Sequence, residues 1–156
     1  MFEVFTEAAR AVMRQSRQHA IDEGSARIDS DHILMALVEQ EPYGIGCQTL
    51  AKCGVEAQGI LSGGSVINRG SDSPESLLGQ YPLSESARFV LDRAFAIAPL
   101  LQSKVVHTDH IFLALLGTAE VRPSALLERL GADRSALLDT ALKLLGIDRV
   151  RWEKCK

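Results

Sequence analysis

Two Asp-His steps, Asp31-His32 and Asp109-His110, stand 78 residues apart in a chain of 156. A carboxylate beside an imidazole is raw material for a metal site or an acid–base pair. Adjacent residues on a helix point about 100° apart, however, so a single step chelates one ion poorly. A histidine held by a local hydrogen bond accounts for both copies. Thr6 and Ser84, also 78 apart, bring hydroxyls to positions where helices are expected to begin. Hydroxyls among unpaired first-turn amides suit an anion. Asp31 and Asp109 in first turns suit the helix dipole, worth about 0.3–1 kcal/mol, and they also suit a cation. The best cation is a guanidinium, whose planar fork matches a carboxylate. A ligand carrying both a guanidinium and a phosphate engages both features.

Other chemistry is missing. There is no phosphate-cradling G-x-x-x-x-G-K-[ST], no H-E-x-x-H and no G-x-S-x-G. Gly44-Ile45-Gly46 is a fragment of a dinucleotide fingerprint, with Thr49 where the third glycine belongs. Cys47, Cys53 and Cys155 form neither a C-x-x-C pair nor a zinc spacing, and read as reduced thiols. No metal, no cofactor and no enzymatic activity are expected.

The 78-residue spacing belongs to an internal duplication. Residues 6–38 align with 84–116 without a gap, and Glu7, Ala9, Arg10, Val12, Ala20, Ser25, Asp31, His32, Ile33, Ala36 and Leu37 all recur. After a one-residue deletion, Leu50 to Gly54 align with Leu127 to Gly131. Each copy reads as four helices. Phe5, Ala8, Ala9, Val12, Met13, Ser16 and Ala20 follow helical periodicity. A second helix is capped by Ser30 and carries Ile33, Leu34, Leu37 and Val38. A third covers about 45–53 and stops at Gly54, and a fourth covers about 56–62. The second copy places helices at 84–98, 108–117, 123–130 and 133–145. The expectation is an all-α fold of eight helices in two pseudo-twofold-related repeats, 1–62 and 82–146. The Gly/Ser-rich stretch 63–81 is the connecting loop, and 147–156 is a loose tail or linker.

The chain has 46% hydrophobic and 24% charged residues, a globular balance, and a net charge of -3 that argues against nucleic acid as partner. A helix-turn-helix DNA binder is disfavoured on the same ground. The longest apolar run, Ala94 to Leu101, is too short for a bilayer and contains Pro99. Met1-Phe2-Glu3 opens no secretory signal, so a cytoplasmic location is expected.

Phe5-Thr6-Glu7-x-Ala9-Arg10, Ser30-Asp31-His32-Ile33-Leu34-x-Ala36-Leu37 and the Leu50–Gly54 stretch together resemble the N-terminal repeat domain of the Clp ATPases, nearest the ClpC kind. The resemblance covers about residues 1–146. It implies a monomeric, non-catalytic module that receives substrate proteins or peptides, degradation tags or adaptors for an ATP-driven unfoldase. It also implies a phosphoarginine site in each repeat, Asp31 with Thr6 and Asp109 with Ser84. Phe2 and Leu83 match positions of a hydrophobic surface that in the family meets cyclic-peptide ligands.

This sequence departs from the pattern. The acids are normally Glu, and Asp withdraws the carboxylate by about 1.5 Å, one carbon–carbon bond. Glu85 adds an acid that repels phosphate. The glycine-bearing turn before the motif is replaced by Arg27-Ile28-Asp29 and Val105-Val106-His107. None of the nucleotide-hydrolysing modules is present. The chain therefore reads either as a piece of an unfoldase or as a free-standing homologue. In the second case it is a decoy that sequesters a Clp-targeting ligand or competes for an adaptor.

Overall fold

The computed structural model describes residues 4–62, 81–116 and 131–153. These residues form eight helices: α1 (Glu7–Asp22), α2 (Ser30–Gln40), α3 (Ile45–Lys52), α4 (Ala57–Ser62), α5 (Glu85–Leu100), α6 (Thr108–Leu115), α7 (Arg134–Leu145) and α8 (Arg149–Glu153). The all-α expectation is met: the described residues hold no strand, only two isolated bridges.

Helix periodicity explains which side of α1 is buried. Ala9, Val12, Met13, Ser16 and Ala20 fall on one stripe and are all inaccessible. Helices α2 and α6 differ in kind. Every residue from His32 to Val38 is buried, as is every residue but Asp109 from Thr108 to Leu115. A helix apolar on all sides must be enclosed, so these two form the centre. Helix α1 packs on α2, α5 packs on α6, and α2 meets α6. Helix α3 lies against α7, where the Cys53 thiol and the Thr140 hydroxyl are 3.4 Å apart. Gly54 ends α3 with φ at +78°, the left-handed stop expected of it.

Short local bonds repeat at the same spacing. Ser25 Oγ donates to the Arg27 carbonyl at 2.7 Å, and Ser103 Oγ donates to the Val105 carbonyl at 2.6 Å. The bridges exchange the two copies: Phe5 pairs with Val106, and Ile28 pairs with Leu83.

Two expectations change. The cap of α2 is Asp29, not Ser30, which is the first helical residue. The reason is that Asp29 Oδ1 already accepts the Ser30 amide, the job assigned to a serine hydroxyl one step later. The stretch 147–153 is not loose. Residues 149–153 form a helical turn whose Trp152 is only 3% exposed and joins the core. Five residues are too few to display a period, and one indole buries enough surface to hold them. Tyr81, the last residue of the 63–81 stretch, donates its hydroxyl to the Ser25 carbonyl. The rest of that loop, the 123–130 helix and Phe2 lie outside the described residues.

Candidate functional site

The two bridges decide which predicted site residues meet. The Val106 amide donates to the Val4 carbonyl at 2.7 Å, and the Thr6 amide donates to the Val106 carbonyl at 3.0 Å. The Ile28 amide donates to the Pro82 carbonyl at 2.8 Å, and the Ser84 amide donates to the Ile28 carbonyl at 2.8 Å. Each segment ahead of a long helix is therefore laid beside the start of the other repeat's central helix. Thr6 is thereby bonded to Val106 just ahead of α6, and Ser84 to Ile28 just ahead of α2. Sequence alignment compares copies and is blind to such an exchange.

Thr6 and Ser84 are both helix caps. Thr6 Oγ1 accepts the Ala9 amide at 3.1 Å, and Ser84 Oγ accepts the Ala87 amide at 3.1 Å. Each hydroxyl keeps one proton to give. Ser84 gives its proton to Asp29 Oδ1 at 2.9 Å. Ser86 Oγ donates to the same oxygen, and so does the Ser30 amide at 2.8 Å. Burial pushes the Asp29 carboxyl up, but the bonds from Ser86, Ser84 and Ser30 outweigh it and hold the group below its ordinary value.

Asp31 and Asp109 both sit half-buried in the first turn of their helices. Burial raises the Asp109 carboxyl, and the Glu41 carboxylate raises it further against the opposing effect of His107. The α6 end therefore collects two acids, Asp109 and Glu41, with His107 beside them. Leu83 is half-buried against the core, so only part of its side chain faces solvent.

The Asp-His steps resolve as local structure. His32 Nδ1 accepts the Asp29 amide at 2.8 Å, which leaves the proton on Nε2 to reach Glu23 at 2.6 Å. His110 Nδ1 accepts the His107 amide at 3.0 Å. Burial, then the neighbouring His107, lowers His110 to about 4. Both imidazoles are buried and close the first turn of their helix from below. Among the described residues no group of His, Cys, Asp and Glu is placed to hold a metal ion. No helix among them is long and apolar enough to cross a membrane.

Sequence reasoning missed Asp29 as a site residue. Its signal was present: an Asp three residues before a buried His, at the position that the second repeat fills with His107.

Comparison with known proteins identifies the family and the fold. Residues 4–130 match the Clp repeat (R) N-terminal domain. The chain is 29% identical over 147 residues to the negative regulator of genetic competence ClpC/MecB of Bacillus subtilis, covering 94% of this chain and 18% of that protein. It is 30% identical over 153 residues to the chaperone protein ClpB of Oceanobacillus iheyensis, again 94% of this chain and 18% of the relative. The ClpD N-terminal domain of Arabidopsis thaliana superposes with a TM-score of 0.69 at 23% identity, covering 93% of this chain and 99% of that one. The ClpV N-domain in complex with a VipB peptide superposes at 0.64 and 19% identity, covering 92% and 88%. The chain thus spans less than a fifth of the length of the two curated relatives. With the match running through both copies of the repeat, the chain belongs to the Clp repeat N-terminal domain family.

Proposed function

We propose that this chain is a non-catalytic protein-binding module, a monomer that receives substrate polypeptides or adaptors through the helix starts at which its two repeats meet. The observation that carries this reading is the family match over residues 4–130. Peptide binding by the same fold supports it: the ClpV N-domain was solved with a VipB peptide. The finer reading concerns phosphorylated arginine. Thr6 and Ser84 as hydroxyls at helix starts, with Asp31 and Asp109 as first-turn carboxylates, supply the two kinds of group that suit a phosphate joined to a guanidinium. The histidines support a binding role over a catalytic one, because each ring spends its Nδ1 on a backbone amide.

The test is an amide-shift titration with an unfolded protein, an arginine-phosphorylated protein and free phosphoarginine. Shifts confined to the α1, α2, α5 and α6 starts are the expected result. Shifts unmoved by all three ligands remove the reading.

A further inference from the structure

The outer face of α5 carries a pattern that the duplication does not explain. At 100° per residue, Phe89, Ala96 and Leu100 fall within about 40° of one another around the helix. Phe89 is 37% and Leu100 45% exposed, and Ala96 is exposed between them. The buried side of α5, with Val90, Leu91, Ala94 and Ala98, faces the other way and packs on α6 and α2. In α1 the positions equivalent to 89, 96 and 100 hold Ala11, Gln18 and Asp22. Only the second copy turns an apolar stripe to solvent here.

Two charges frame the stripe. Arg93 is half-buried along one edge, and Asp92 is exposed along the other. Among the described residues neither side chain has an ion-pair or hydrogen-bond partner. With Arg93 included, positions 89, 93, 96 and 100 are spaced four, three and four apart, the seam spacing of two packed helices.

We propose that the outer face of α5 is a second docking surface, and that its occupant is an amphipathic helix of a partner protein, with an apolar stripe of its own and an acidic side chain set against Arg93. This surface is separate from the helix starts and does not depend on the reading given to them.

Phe89 and Leu100 supply the apolar area, one at each end of a seam about three turns long. Ala96 lets the incoming backbone come close between them. Covering the seam takes water from Arg93, and a guanidinium stripped of water needs a carboxylate to accept its fork. A basic side chain on the far edge answers Asp92. Opposite charges on opposite edges fix which way the helix lies. A second copy of α5 fits less well, because a twofold axis sets Arg93 beside its own counterpart and like charges repel.

The experiment titrates the full chain with two synthetic amphipathic helical peptides, kept at concentrations where each is monomeric. Both carry leucine along the seam; one has a central glutamate there and the other a central lysine. The expected result is amide shifts confined to residues 89–100, with the glutamate peptide binding at least about ten-fold tighter. Arg93→Glu is expected to invert that preference. Phe89→Gln combined with Leu100→Gln, both at exposed positions, is expected to abolish binding of either peptide while circular dichroism stays unchanged. Equal affinity of the two peptides overturns the proposal, as does an Arg93→Glu protein that keeps the wild-type preference. Shifts at residues 89–100 that appear on concentrating the protein without peptide also overturn it, and assign the face to a second copy. An unfolded-protein titration read at residues 6–9 and 84–87 reports on the helix starts separately.

Discussion

Gln102 adopts the left-handed backbone region at φ 64°, the conformation that Gly24 takes at φ 67° in the equivalent turn of the first repeat. The turn demands a positive φ in both copies, because the chain must reverse between a long helix and the approach to a central one. Glycine meets the demand without steric cost, whereas a side chain raises it by about 1–2 kcal/mol. Gln102→Gly is expected to stabilise the domain by about 0.5–1 kcal/mol after the added freedom of glycine in the unfolded chain is deducted. Urea unfolding of the pair of proteins checks this, with an unchanged slope.

Gly46 marks the closest approach of α3 to the core. A Cβ at that position lies 2.5 Å from Leu37 Cδ2 and 3.2 Å from Phe112 Cδ1. Both neighbours are buried in the central helices and have little room to turn away. Gly46→Ala is therefore expected to destabilise by about 1–3 kcal/mol, despite the better helix propensity of alanine. Chemical unfolding measures it. A neutral or stabilising result contradicts the packing.

Trp152 holds a five-residue helix that has no means of standing alone. Its side chain is almost fully enclosed, so Trp152→Ala should cost about 3–5 kcal/mol. The intrinsic fluorescence of the single tryptophan follows global unfolding of the wild type. If the C-terminal turn is peripheral, the variant will show the wild-type midpoint by circular dichroism.

His110 links stability to pH. Its folded pKa of about 4 lies below its ordinary 6.5, so the unfolded state binds the extra proton between those values. The stabilisation is complete above pH 6.5 and is lost as pH falls from 6.5 towards 4. The loss is at most about 3.4 kcal/mol, and solvent screening at the helix start reduces it. Asp109 works the other way. Its carboxyl is raised by burial and by Glu41, so acidification relieves a repulsion there. Melting temperatures of wild type and His110→Gln between pH 4 and 7 separate the two. The wild type should lose stability more steeply, and parallel curves exclude a role for His110.

The steps that reach the structure from sequence are those that need only neighbours along the chain. Helix periodicity located α1, α2, α3, α5, α6 and α7 because burial of one stripe is written every three or four residues. The caps Thr6 and Ser84 were legible for the same reason, since a hydroxyl serves an amide three positions on. The local hydrogen bonds of His32 and His110 were legible too. The α8 turn was not, because its order comes from one indole reaching a distant core.

The sequence by itself determined the duplication, the all-helical fold and the four polar residues at the helix starts. Tertiary structure alone decided beside which distant segment each of those residues lies. The parallel pairing of Phe5 with Val106 and of Ile28 with Leu83 swaps the hydroxyls between the repeats. Only that swap carries Ser84 to Asp29, 55 positions away. Backbone hydrogen bonds between distant segments are satisfied by whichever partner the packing of the central helices brings near, and no local pattern of residue types encodes that choice.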